Sequence, residues 1–144
     1  PRWVKQLKFI AACCLTLTFL TVVFVLAPYY PDEGGVVFLL TESSMLYHHL
    51  LNPMAALLSY LLLEREPHLP RSDVRWALLP TLAYAAVILP LNILRVIVGP
   101  YPFFEVYHQP VYVSVLWAVG LLGVNYLYAW LLWHLGGGRP RSAR

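Results

Sequence analysis

Residues 7–27 read LKFIAACCLTLTFLTVVFVLA and carry a single charge, Lys8, near their start. A helix rises about 1.5 Å per residue, so about 20 apolar residues cross a hydrocarbon core about 30 Å thick. This run has that length and stops at Pro28, and it predicts a membrane-spanning helix. It is longer than the apolar core of a typical secretory leader. It ends in Ala27-Pro28-Tyr29-Tyr30 rather than a small-x-small cleavage pattern, so it is read as a retained helix. Three more runs of this kind follow. The second covers 44–63, with Ser43 or Ser44 as its N-cap. The third covers 74–98 and stops at Gly99-Pro100, and the fourth covers 112–135 and stops at Gly136-Gly137-Gly138. Pro53, Pro80 and Pro90 fall inside these runs, where membrane helices accept them at the cost of a kink. The expected fold class is an all-α membrane protein. It forms one bundle of four transmembrane helices over residues 1–138, with a short basic cytoplasmic tail at 139–144.

Composition agrees. Hydrophobic residues make up 60% of the chain and charged residues 12%, against about 25% charged in a soluble domain. Such a chain lacks the polar surface to cover a water-soluble globule. Its 10 tyrosines and 5 tryptophans gather near the ends of the apolar runs, the depth at which amphipathic rings settle. The net charge of +3 comes from basic residues spread over three short flanks. That spread fits insertion topology, not a nucleic-acid face. Cys13 and Cys14 are adjacent in a helical run, point about 100° apart and are poorly placed to bridge.

The basic residues orient the chain. Arg2, Lys5 and Lys8 precede the first run. Arg65, Arg71 and Arg75 lie between the second and third, and Arg139, Arg141 and Arg144 follow the fourth. The intervening loops hold Asp32, Glu33, Glu42 and Glu105 but no Lys or Arg, and Arg95 sits near the far end of the third run. Cytoplasmic flanks are enriched in Lys and Arg, so both termini and the 64–75 loop are expected in the cytoplasm.

Polar residues recur within the runs at steps of three, four, seven, eight or eleven, each close to a whole number of helical turns. They are Cys14, Thr18 and Thr21; His48, Asn52 and Ser59; Thr81, Tyr84, Asn92 and Arg95; and Ser114, Asn125 and Tyr128. Such spacing puts each set on one helix face, and lipid is a poor solvent for them, so these faces are expected to meet. Small and weakly polar groups of this kind commonly serve as contacts between membrane helices. The costlier groups are candidates for function. His48, His49, Asn52, Asn92 and Arg95, with Glu105 and His108 from the 99–110 loop, all fall on the non-cytoplasmic side. Arg95 also admits a structural reading, as a side chain reaching the headgroups or pairing with Glu105. His48 shares a face with Asn52, Ala55 and Ser59 and is expected to point inward, with His49 about 100° away and nearer the lipid. No His-x-x-x-His or Cys-x-x-Cys spacing supports a metal, and no cofactor is expected. Thr18, Thr21, Thr41, Ser43, Ser44 and the tyrosines carry hydroxyls, yet none lies in a recognisable nucleophile, phosphate-loop or dinucleotide motif.

Three stretches in combination carry a family resemblance. They are LTLTFLTVVFVLAP at 15–28, LYHHLLNP at 46–53 with Glu64 closing that helix, and GPYPFFEV at 99–106. Together they resemble a bacterial family of predicted six-helix integral membrane proteins of unknown function. That likeness implies two further helices before the first run, which would make this chain the C-terminal part of such a protein in a bacterial cell membrane. More distantly, the layout is similar to the androgen-induced-gene family of membrane proteins, which hydrolyse fatty-acid esters of hydroxy fatty acids with an intramembrane Thr and His. The resemblance implies a catalytic role for His48 or, second, His49, while the family's threonine belongs to a helix that this sequence does not include.

Two functions are therefore weighed. One is an intramembrane lipid-ester hydrolase, or a remnant of one, with His48 in the site and His49, Asn52, Asn92, Arg95, Glu105 and His108 around it. The other is a non-catalytic lipid or small-molecule binder, or a subunit of a membrane assembly. Membrane lipids and a membrane-protein partner or second copy are the expected partners. A transport path is the weakest option, because no acid pair lies at mid-membrane depth. A hydroxyl within reach of a buried His48 separates the first reading from the second.

Overall fold

A computed structural model describes residues 1–31, 34–63, 69–99 and 101–136. These residues form helices and turns, with no strand among them. The sequence-expected tail at 139–144, the acidic Asp32 and Glu33, and the 64–68 segment with Glu64 and Arg65 lie outside the described residues. Helix α1 runs Arg2–Tyr29, with one wide π turn at Val22–Leu26 and a tight 3₁₀ turn at Ala27–Tyr29. Helix α2 is Gly35–Thr41. Helix α3 covers 46–63 as a π turn, an α-helical centre and a second π turn. Helix α4 is Arg71–Ile93, tight over Arg71–Leu78 and α-helical from Leu79. Helix α5 is Val111–Leu135.

Among the described residues three helices, α1, α4 and α5, are long and apolar enough to cross a membrane. The segment 46–63, expected to be a fourth span, is helical from end to end but is not one of the three. His48, His49 and Asn52 dilute its apolar character.

Two of the expected boundaries move. Helix α1 begins at Arg2 rather than near Leu7, because Phe9, Ala12, Cys13 and Thr16 already follow the i, i+3, i+4, i+7 pattern of a buried face and nothing interrupts the turn before them. Helix α4 stops at Ile93, short of the expected Val98. Leu94 and Arg95 turn the chain, Arg95 with φ of 58°, in the left-handed region. The fourth helix lies where the fourth run placed it.

Helix α2 falls where the sequence predicts a loop between the first two runs. Its apolar stretch, Val36–Leu40, is too short to span and gave no signal on that scale. Gly34 and Gly35 hold φ of 89° and 53°, and Gly35 N–H donates to Tyr30 O at 2.9 Å. This reversal folds α2 back onto the end of α1 and the start of α3.

The bundle has two ends with different packing. At the end carrying Pro1 and Gly136, buried Phe9, Cys13, Tyr60, Leu69, Val74, Leu132 and Trp133 form one core. Trp133 Nε1 donates to Leu69 O at 2.7 Å, and Arg2 reaches the buried Asp73 at 3.3 Å. At the opposite, loop end, Val22, Leu26, Leu39 and Phe103 form a smaller cluster with Phe104, Tyr101 and Trp117 around it. Helix α5 packs on the tight first half of α4. Beyond Leu79 the two helices meet mainly through the Pro102–Phe104 turn, which sits between them as an aromatic wedge.

Gly99 makes this wedge feasible. A Cβ there would stand 2.7 Å from the Phe104 carbonyl carbon and 2.9 Å from Glu105 N, both backbone atoms. Gly99→Ala is therefore expected to cost about 1–3 kcal/mol by overpacking. The expected result is a lowered unfolding temperature in detergent, whereas Gly120→Ala, whose Cβ would meet nothing within 4 Å, leaves that temperature unchanged or raises it.

Candidate functional site: a polar cleft above an apolar groove

The end of α4 builds the cleft. Asn92 is buried. Its amide donates to Ile97 O at 3.2 Å, and its side-chain oxygen accepts from Val106 N–H at 3.2 Å. One side chain thereby ties the segment leaving α4 to the segment approaching α5. Tyr107 crosses back over the helix end, and its hydroxyl donates to Ile93 O at 2.5 Å. Arg95 lies over the Tyr107 ring, its guanidinium carbon 4.4 Å from the ring centroid, a cation–π contact worth about 0.5–1 kcal/mol at an exposed site. Of the two structural readings of Arg95, the ion pair with Glu105 does not form. Glu105 instead pairs with His108, Nδ1 to Oε2 at 2.6 Å. Arg95 has no carboxylate partner among the described residues. Gln109 donates to Phe103 O at 3.1 Å and to Ser114 Oγ at 3.0 Å, fixing the loop to the start of α5.

The result is a cleft of about 440 Å³ whose polar lining is Asn92, Arg95, Glu105, Tyr107 and His108. Four of the seven sequence-derived site residues meet here. Tyr107 also lines a second space, an apolar groove of about 580 Å³ between α4 and α5, walled by Leu82, Leu89, Ile93, Val115 and Leu122 and headed by Phe103 and Phe104. On the other side of α4 a groove of about 360 Å³ runs past Thr18, Thr21, Thr81 and Tyr84. The sequence singled out the polar loop residues but not the grooves, because no local pattern records that α4 and α5 diverge.

The other three residues lie elsewhere, on α3. The expected order of the two histidines is reversed: His48 is exposed and His49 half-buried. His49 Nδ1–H donates to Leu39 O of α2 at 2.8 Å, which leaves Nε2 as the acceptor in the neutral ring. Asn52 and Ala55 are exposed as well, while Pro53 and Tyr60 are buried. The cause is local. The π turn at Leu46–Leu51 carries more residues per turn than the 3.6 assumed from sequence, so the faces rotate, and α2 supplies a carbonyl to the face bearing His49. The His48 ring makes no hydrogen bond among the described residues, although its backbone N–H donates to Ser44 O at 3.2 Å. Of the polar faces expected to meet across the bundle, Asn125 and Thr81 do so, Nδ2 donating to Oγ1 at 2.8 Å. No three His, Cys, Asp or Glu side chains converge among the described residues.

No family model matches this chain, and neither a curated protein nor a solved structure does so. The chemistry of the cleft is accordingly read from its own groups.

Asn92 and Arg95 differ in kind. Asn92→Leu is expected to leave Val106 N–H and Ile97 C=O without partners and to cost about 1–3 kcal/mol, measured as a lowered unfolding temperature in detergent. Arg95→Ala loses only an exposed contact and is expected to stay within about 1 kcal/mol of the parent.

Proposed function

We propose that this chain is a four-pass membrane protein that binds a phospholipid at its loop end, with 46–63 as the fourth pass. One acyl chain fills the groove between α4 and α5, and the headgroup occupies the cleft above it. The supporting observation is that the two spaces share Tyr107, so polar and apolar sites of suitable size adjoin in one place. Arg95 offers a planar guanidinium to a phosphate. Glu105 beside it suits an ammonium, so the charges of the cleft match a zwitterionic head such as phosphoethanolamine better than a purely anionic one. The aliphatic and aromatic lining of the groove suits an acyl chain.

A second reading, hydrolysis of a lipid ester, has one observation in its favour. Glu105 holds His108 through Nδ1, the arrangement that orients an imidazole as a base. The ring is 74% exposed on its side chain, so Nε2 is open to a water molecule. On this reading His108 removes a proton from water, which attacks the ester carbonyl and releases an alcohol and a fatty acid. The resemblance instead points to His48, which lies exposed on α3 away from this cleft.

Three measurements test these proposals. In nanodiscs analysed by native mass spectrometry, phosphatidylethanolamine is expected to be retained over phosphatidylglycerol. Arg95→Ala should weaken retention about tenfold, and Glu105→Gln should erase the preference; equal retention by all three proteins removes the cleft from the binding site. With a fluorogenic acyl ester, turnover lost in Glu105→Gln and His108→Ala supports the hydrolase, and wild-type turnover no faster than buffer rejects it. The proposed topology has both termini and the 64–75 loop in the cytoplasm. Glu42→Cys should then react with an impermeant maleimide on intact cells, and Ser72→Cys only after permeabilisation.

A further inference from the structure

The groove of about 360 Å³ on the α1 side of α4 has a lining that an acyl chain does not call for. Its walls carry the hydroxyls of Thr18 and Thr21 from α1 and of Thr81 and Tyr84 from α4. Its head is the aromatic wedge of Tyr101, Phe103 and Phe104. Both helices are long and apolar enough to span, and Thr18 and Thr81 fall near the middle of Arg2–Tyr29 and Arg71–Ile93. A phospholipid keeps its oxygens in the interfacial layers, and its chains bring none to mid-span.

The hydrogen bonds already made decide what these hydroxyls can recognise. A hydroxyl has one proton to donate and two lone pairs to accept with. Thr81 Oγ1 accepts from Nδ2 of the fully buried Asn125 at 2.8 Å. Its own proton has no acceptor among the described residues. Asn125 thus fixes the Thr81 hydroxyl and leaves it as a donor. Thr18 spends its proton on Cys14 O at 3.1 Å and keeps its lone pairs. The Tyr84 ring stands edge-on to Phe104, with centroids 5.8 Å apart and planes at 66°. Neither its hydroxyl nor that of Thr21 makes a hydrogen bond among the described residues. Hydrocarbon in this groove would leave three donors unpaired away from water, a recurring cost that a ligand oxygen removes. At the head of the groove Tyr101 and Phe103 stack at 5.2 Å and 20°, and Phe104 is tilted against Phe103 at 52°. Such a cluster offers both faces and edges to a further flat ring.

We propose that this groove binds the head of a membrane quinone, a flat apolar ring whose carbonyl oxygens accept from Thr81, Thr21 and Tyr84 while the ring packs on the aromatic wedge. The volume lies in the range of small-molecule sites, about 300–1,000 Å³. The inference stands apart from the phospholipid reading, because Thr18, Thr21 and Tyr84 line this groove and neither the cleft nor the groove between α4 and α5.

The test uses the full chain in nanodiscs, with decylubiquinone as the probe and native mass spectrometry as the readout. A saturable adduct of one quinone per chain is expected. Decylbenzene, which has a flat ring and the same tail but no carbonyl, should bind about tenfold more weakly or worse. Tyr84→Phe keeps the ring against Phe104 and removes only the hydroxyl. It should weaken the quinone adduct about two- to tenfold and leave retention of phosphatidylethanolamine unchanged, and Thr21→Val should act in the same direction. Arg95→Ala should leave the quinone adduct as it is in the wild type, so a failure of the phospholipid reading and a failure of this one show in different proteins. Absence of a saturable adduct overturns the proposal. So does decylbenzene binding as tightly as decylubiquinone, which would make the groove a general hydrocarbon site, and so does wild-type affinity in both Tyr84→Phe and Thr21→Val.

Discussion

The buried amide of Asn92 ties the chain leaving α4 to the chain approaching α5, while backbone N–H groups and the Tyr107 hydroxyl meet the last carbonyls of the helix. A helix that terminates leaves carbonyls without intrahelical partners, and at membrane depth no water replaces them. Here the backbone turns at Leu94 and Arg95, Leu94 N–H returning to Pro90 O and Arg95 N–H to Asn92 O. The Asn92 side chain meanwhile joins Ile97 to Val106 across the loop. Everything at that end depends on this tie. It brings Tyr107 back over α4, positions Arg95 on the Tyr107 ring, and sets the Pro102–Phe104 turn between α4 and α5. The 99–110 loop is long and rich in proline and aromatic rings. Only a buried polar anchor of this kind gives it one conformation.

The same accounting explains the contrast between the two ends. At the end with Pro1 and Gly136, side chains interlock closely. The Trp133 indole donates to Leu69 O, and Gly136 passes so near the Tyr60 ring that a Cβ would lie 2.7 Å from it. At the loop end the helices diverge and aromatic rings substitute for direct helix contact, with Phe103 5.8 Å from Trp117 and 5.0 Å from Phe104. Tilted rings fill space without locking register, and this end keeps grooves of about 360 and 580 Å³ against one of about 280 Å³ beside Pro1 and Tyr60. Local opening draws on regions with few buried contacts, and here those are the regions around the cleft.

The spans were legible because bilayer thickness imposes a length on apolar runs, and α1, α4 and α5 obey it plainly. The meeting of Asn92, Arg95, Glu105 and His108 was legible in part, since the expected topology puts all four at one end of the bundle. The end of α4 was not. Val96–Val98 continue the apolar pattern, but the chain leaves the helix at Leu94 and the left-handed Arg95, and the Asn92 side chain there bonds Val106, fourteen positions away. The orientation of α3 departs from the sequence expectation for a related reason. A wide turn at Leu46–Leu51 breaks the 3.6 period on which any face assignment rests, and the short α2 that engages His49 leaves no trace at the length scale of a span. The pairing of Glu105 with His108 rather than with Arg95 follows from the left-handed turn at Arg95, which aims the guanidinium at Tyr107.

That turn also separates two kinds of charge in the cleft. Arg95 is held by its backbone and by an aromatic face, neither of which neutralises it, whereas Glu105 already shares its charge with His108 through a 2.6 Å contact. A guanidinium resting on a ring keeps all its N–H donors in the plane of the fork, available to an incoming oxyanion. A carboxylate bonded to an imidazole keeps one oxygen for a cation while the ring moderates its field. The cleft is therefore polarised along its length, with an uncompensated positive end and a partly compensated negative one. Tyr107 stands between them and forms part of the wall of the apolar groove below. On the proposed function these three features correspond to the oxyanion, the cationic group and the hydrocarbon chain of a zwitterionic phospholipid.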